Sequence, residues 1–138
     1  KLFPEVTVEE QACPMWVPLV EYGESNAPGA DYFVEKYTSE LMQRDPKIDT
    51  IILGCTHYPL LRPKIREALP ESVELISQGE LVASSLADYL LRHPEMEHRL
   101  SQGGEISYRT TECPEKFEEL ASIFTGTEVR ATRVKITG

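Results

Sequence analysis

The sequence predicts an α/β fold of three layers, a mostly parallel sheet flanked by helices. Three observations carry that expectation. Short apolar runs, Thr50-Ile51-Ile52-Leu53 and Val73-Glu74-Leu75-Ile76, alternate with stretches whose apolar residues recur at helical spacing. The first run is continuous rather than alternating, as expected of a strand buried on both faces, and Gly54 bounds it. Finally, no repeat, low-complexity tract or long linker interrupts the 138 residues, a length that suits one compact domain or a domain plus part of a second.

In chain order, Ala30, Phe33, Val34, Tyr37 and Leu41 mark the first long helix. The strand at 50–53 follows, and Pro59 or Leu60 opens the next helix. After the strand at 73–76, Val82, Leu86 and Leu90 mark another helix, which His93-Pro94 stops. Ser101-Gln102-Gly103-Gly104 reads as a surface loop and a passage from one lobe to another. Residues 106–110 make a third strand. Phe117, Leu120, Ala121 and Phe124 follow the i, i+3, i+4, i+7 pattern, with Pro114 at the start and Gly126 just past the end. At the C-terminus Thr132, Val134 and Ile136 alternate with Arg133 and Lys135, the pattern of an edge strand with one wet face.

Composition narrows the function. Hydrophobic residues make up 41% of the chain, enough for a real core. The net charge is −9, from 14 Lys+Arg against 23 Asp+Glu, which would repel a phosphate backbone or an anionic membrane surface. No run approaches the roughly 18–20 apolar residues that span a bilayer. Three cysteines (Cys13, Cys55, Cys113) form no C-x-x-C pair, which fits reduced thiols in a cytoplasm better than a disulfide framework. The chain opens on Lys1 with no signal-peptide pattern, so a truncated or processed chain is expected.

The segment that carries chemistry is Leu53-Gly54-Cys55-Thr56-His57-Tyr58-Pro59-Leu60-Leu61. Ligands of open α/β sheets bind outside the carboxyl ends of strands, where Cys55 would sit. A helix N-terminus and a histidine two residues away both favour thiolate. Gly54 permits close backbone approach, and Thr56 with the amides of the first helical turn could hold a carboxylate. The residues alone leave other readings open. Cys55 could be a small buried hydrophobe, or half of a metal site for which the chain offers few further ligands.

Gly54-Cys55-Thr56-His57-Tyr58-Pro59-Leu60-Leu61 resembles the second cysteine motif of the glutamate racemase family. Upstream, Ala12-Cys13-Pro14-Met15-Trp16-Val17-Pro18-Leu19-Val20-Glu21 is similar to the family's Ala-Cys-Pro, aromatic, Val-Pro-Leu-Val-Glu segment. Weaker similarity runs through Ile76-Ser77-Gln78-Gly79-Glu80 and residues 110–124, although Ser77-Gln78 departs from the acidic residue usual there. The resemblance covers nearly the whole chain but only the latter half of a family member.

That resemblance implies a two-lobe, pseudo-symmetric racemase that inverts the α-carbon of glutamate without pyridoxal phosphate, metal or other cofactor. Its D-glutamate would serve peptidoglycan synthesis, and so cell wall and cell shape. Cys55 matches the second of two catalytic cysteines, and Thr56 a substrate-contacting position. His57 matches a histidine beside the thiol that tunes it or contacts substrate, and Glu21 an acidic residue that orients His57. Without the resemblance, Glu21 reads as a solvated carboxylate at a helix end and His57 as a cap of the next helix. Tyr58 and Pro59 read as structural, Trp16 as core or site lining, and His93 and His98 as solvated. Cys13 reads as a buried strand-end thiol and Cys113 as a helix-start residue. The family's Ala-Cys-Asn-Thr motif, Asp-Ser pair and Pro-Tyr-Gly loop are not in these residues.

Residues 1–78 are thus expected to belong to the second lobe and to carry the Cys55 motif, and residues 79–138 to return to the first. The partners implied are glutamate and the N-terminal half of the same protein, with a homodimer left open and no nucleic acid or membrane. The fragment alone is expected to be inactive. Competing readings are a racemase of the aspartate or hydantoin type, which usually lacks the His-Tyr-Pro, a non-catalytic partner-binding homologue, and a thiol redox role.

Overall fold

A computed structural model describes residues 2–136. The chain divides into two compact units, Lys1–Leu81 and Val82–Gly138. Parallel strands connected through helices build both, an α/β arrangement.

In the first unit, helix α1 (Trp16–Glu21) and helix α2 (Pro28–Arg44) precede strand β1 (Thr50–Leu53). A 3-10 turn (Tyr58–Leu61) runs into helix α3 (Arg62–Glu67), and strand β2 (Glu74–Ser77) follows. β1 and β2 pair in parallel, from Thr50 opposite Glu74 to Leu53 opposite Ser77. A parallel pair cannot close through a hairpin, so the 3-10 turn and α3 form the crossover. Pro28, Pro59 and Pro63 lie in the first positions of their helical segments, where proline's missing N–H costs no intrahelical bond. The core gathers Val20 from α1, Ala30, Val34 and Tyr37 from α2, and Leu61, Ile65 and Leu69 around the crossover. Burying each aliphatic side chain of this kind contributes about 1.5–3 kcal/mol. Arg66 ties α3 to the approach to β2, its guanidinium donating to the carbonyls of Val73, Leu69 and Pro70.

Helix α4 (Gln78–Arg92) starts in the first unit and continues into the second. The second unit also holds α5 (Pro94–Glu97), strand β3 (Tyr108–Thr110), helix α6 (Pro114–Thr125) and strand β4 (Ala131–Arg133). β3 and β4 pair in parallel, with Tyr108 opposite Ala131 and Thr110 opposite Arg133. Gly126 ends α6 in the left-handed region at φ 67°, its N–H donating to the Ser122 carbonyl. Val129 is the one buried residue among the described residues of this unit.

Three expectations need correction. β1 is not buried on both faces: Leu53 is buried, but Ile52 is 60% exposed. The C-terminal strand is shorter than its alternation suggests. It ends at Arg133 because its partner β3 ends at Thr110, and Ile136 lies beyond it, exposed. Cys13 does not end a strand; residues 11–13 are in none, and the chain turns there into α1. The expected stop at His93-Pro94 is observed, since α4 ends at Arg92, and the short helix α5 follows at once with His93 at its N-cap.

The packing around α3 gives a stability test. Ile65→Ala should cost about 2–5 kcal/mol, because the fully buried site cannot collapse around the lost methylenes. Ile136→Ala, at an exposed position, should stay within about 0.5 kcal/mol. Denaturant midpoints of the two variants check the contrast.

Candidate active site

β1 ends at Leu53, and Gly54 carries the chain into a turn closed by the Tyr58 N–H donating to the Cys55 carbonyl at 3.2 Å. Cys55, Thr56 and His57 occupy that turn, at the carboxyl end of the strand. The Cys55 Sγ lies 3.8 Å from His57 Nδ1, and the Thr56 hydroxyl lies 3.4 Å from the same nitrogen. The other ring nitrogen, Nε2, lies 3.2 Å from Glu21 Oε1. His57 therefore spans Glu21 on one side and the Cys55 thiol on the other. Although it stands at the N-cap of the 3-10 turn, its ring reaches sideways to Glu21, 36 residues earlier.

The direction of the proton follows from the chemistry of the groups. A carboxylate only accepts hydrogen bonds, so Nε2 must donate to Glu21. Nδ1 then faces the thiol and the Thr56 hydroxyl. A thiol, an imidazole and an orienting carboxylate in line form an arrangement that can move a proton to and from sulfur.

Glu21 is the last residue of α1. The dipole of a helix disfavours a carboxylate in its last turn by about 0.3–1 kcal/mol, so local helix energetics do not explain the residue. Its partner does. α1 is brought to the turn by Trp16, a buried side chain whose ring meets Tyr58 edge-on at 4.8 Å and Tyr37 at 6.1 Å. The indole Nε1 donates to the Phe33 carbonyl at 3.3 Å, which fixes the ring against α2. Trp16 is therefore core and also lines the adjoining cavity. Tyr58 has its phenol raised above the usual value, first by burial and then by the neighbouring Cys13 and Cys55.

The remaining candidates go elsewhere. Cys13 is buried, its thiol donating to the Gln11 carbonyl at 3.6 Å. Burial, with the negative charge of Glu40 adding to it, pushes that thiol up to about 12. Cys13 is thus held protonated and inert. Cys113, in the second unit, is exposed at the N-cap of α6 and donates to Glu115 Oε2, which lowers the Glu115 carboxyl. His93 stacks on Tyr89 at 4.3 Å and pairs with Glu95 at 2.9 Å. Among the described residues no group of three or more metal-ligating side chains forms, and no helix is long and apolar enough to cross a membrane.

Sequence reasoning missed the wall formed by residues 7–13, which lines a cavity with β1 and Cys55. The available signal was the alternation of Val6 and Val8 with Thr7 and Glu9.

No family model matches the chain. It is 42% identical over 117 residues to the glutamate racemase of Shouchella clausii, covering 85% of this chain and 41% of that protein. The crystal structure of a glutamate racemase isoform from Bacillus anthracis superposes with a TM-score of 0.78 at 31% identity, covering 98% of this chain and 49% of that one. The Francisella tularensis glutamate racemase, solved with D-glutamate, gives a TM-score of 0.77 at 28% identity over 96% of this chain and 48% of that one. The chain is homologous to glutamate racemases and shares their α/β arrangement, and it spans about two fifths of the length of the curated relatives it matches.

The environment of Cys13 has a measurable consequence. The fold favours its protonated form, so its contribution to stability is complete below the ordinary value of 9.0 and is lost as pH climbs toward about 12. Cys13→Ala should therefore lose less stability than the parent across that alkaline window. At about pH 8, iodoacetamide should label Cys113 and spare Cys13 until the protein unfolds. Rapid labelling of Cys13 in the native state would contradict this reading.

Proposed function

We propose that this chain is the C-terminal part of a glutamate racemase and supplies one side of its active site, with Cys55 as one of two acid/base groups. The observation that carries the reading is the line from Glu21 through His57 to Cys55, with distances of 3.2 and 3.8 Å. The homologues named glutamate racemase, one of them solved with D-glutamate, supply the substrate class.

Inversion at an α-carbon needs a base on one face and an acid on the other. The Cys55 thiolate takes the α-proton from one enantiomer; in the reverse direction its thiol returns one. An α-proton is far less acidic than a thiol, so the site must stabilise the carbanion-like transition state by position and charge. His57 lies next to the sulfur, within reach of the proton that the thiol gives and takes. Glu21 orients the imidazole. Thr56, beside the same nitrogen, offers a hydroxyl to the substrate. The second acid/base group comes from outside these 138 residues, because Cys13 is buried and its thiol is pushed up to about 12. By itself the chain is then inactive.

In this reading residues 1–78 belong to the lobe that carries Cys55, and residues 79–138 return to the other lobe. The division of the chain after Leu81 supports that assignment. The enzyme works in the cytoplasm and feeds D-glutamate to peptidoglycan. Three free cysteines suit that compartment.

The test is α-proton exchange of D- and L-glutamate in deuterated water by the full-length protein. Exchange should occur with both enantiomers, and Cys55→Ser should abolish inversion and make any residual exchange one-sided. No exchange with either enantiomer in folded protein would sink the proposal. Glu21→Gln should lower kcat by roughly tenfold with little change in KM. The same variant should cost at most about 1 kcal/mol of stability, because Glu21 is 46% exposed and solvent screens the pair. A large stability loss with unchanged kcat would make Glu21 a structural residue.

A further inference from the structure

Glu21 stands where a helix gives it little support. α1 has six residues, no side-chain cap at its start and no basic residue in its last turn. A helix that short does not hold in water by itself, and its final residues are the first to fray. The carbonyls of a last turn also lack intrahelical partners, and their partial negative charge opposes a carboxylate there.

The connector that follows α1 removes both problems. The N–H groups of Tyr22, Gly23 and Glu24 donate to the carbonyls of Pro18, Val20 and Leu19 at 2.9, 3.0 and 2.8 Å. The last two are the crossed pair that closes a helix when the residue after its C-cap turns left-handed. That residue is Gly23, at φ 70°, and Tyr22 is the C-cap before it. Glu24, charged and exposed, occupies the position that usually adds an apolar contact to such a closure, so the closure depends on the backbone of Gly23. A Cβ at Gly23 would meet no atom within 4 Å. The glycine is there for its left-handed φ, which L side chains rarely adopt, and not for space.

Both crossed bonds span Glu21: their carbonyls, at Leu19 and Val20, precede it, and their N–H groups, at Gly23 and Glu24, follow it. The backbone of Glu21 is thereby fixed, and its carboxylate meets His57 Nε2 at 3.2 Å although the side chain is 46% exposed. A half-exposed carboxylate gains too little from its partner to gather a frayed helix end around it. Trp16 anchors the start of α1, and the closure at Gly23 its end.

We propose that Gly23 is a positioning residue of the active site: its left-handed turn closes α1 around Glu21 and aims the carboxylate at His57. Its effect on the reaction runs through Glu21. The proposal rests on the reading of the chain as part of a glutamate racemase only for the reaction that the carboxylate serves.

Full-length protein carrying Gly23→Ala or Gly23→Asn, alone and with Glu21→Ala, tests it. Position 23 is exposed, so both variants keep the core. Asparagine enters the left-handed region far more readily than alanine. Gly23→Ala should lower kcat roughly three- to tenfold with KM little changed, and Gly23→Asn should recover most of that loss. In the Glu21→Ala background, Gly23→Ala should lower kcat by less than about twofold, because its route to the reaction is already gone. Effects that multiply in the double variant would overturn the proposal, as would a Gly23→Ala enzyme that loses stability but keeps its kcat. Nitrogen-15 NMR of the His57 ring reads the same placement without turnover. Gly23→Ala should weaken the preference for a proton on Nε2, and Gly23→Asn should retain it. An unchanged ring in folded Gly23→Ala overturns the proposal even in an active enzyme. A parent that racemises nothing overturns the proposed function instead, and the ring then decides the positioning.

Discussion

The edge-on contact between the Trp16 and Tyr58 rings, 4.8 Å between centroids, fixes where the two turns of the first unit meet. Each ring belongs to the segment that follows one of the cavity walls. Their packing docks the short helix α1 on the 3-10 turn, and Glu21, at the far end of that helix, thereby reaches His57. An aromatic pair of this geometry contributes about 0.5–1.5 kcal/mol beyond its buried area. The aromatic pair also buries its rings, whereas the partly exposed Glu21–His57 pair provides at most about 1 kcal/mol. The apolar contact positions the polar one.

The same packing separates the chemistry of two cysteines that lie near one phenol. Cys13 sits among apolar side chains and feels the negative charge of Glu40, and both influences hold it protonated. Cys55 is half-buried at a strand end, with an imidazole beside its sulfur. Two chemically identical groups acquire opposite suitability for proton transfer from their surroundings alone. In the proposed mechanism only the thiol with a polar, accessible face can meet a substrate.

Much of this was legible in the sequence where the signal is local. The β-branched runs at 50–53 and 73–76 and the helical spacing of Ala30, Val34, Tyr37 and Leu41 correspond to observed elements, because burial of one face imposes a period. The Gly54-Cys55-Thr56-His57 turn was legible because a glycine bounds the apolar run and Pro59 opens the next helical segment. The Glu21–His57 pairing joins residues 36 apart, so it could be expected only through resemblance to a family. Helix α1 is six residues long and holds Pro18, which leaves little periodic signal. The exposure of Ile52 was not legible at all: the run reads as a strand covered on both sides, and these residues provide only part of that cover.

The proposed proton transfer requires His57 to donate through Nε2 to Glu21 while Nδ1 faces Cys55. Nitrogen-15 NMR of the His57 ring measures that assignment directly, in the parent and in Glu21→Ala. The account predicts that Nε2 carries a proton in the parent at every pH where the ring is neutral, and that Glu21→Ala weakens this preference. A neutral ring protonated at Nδ1, unchanged by the substitution, would contradict it.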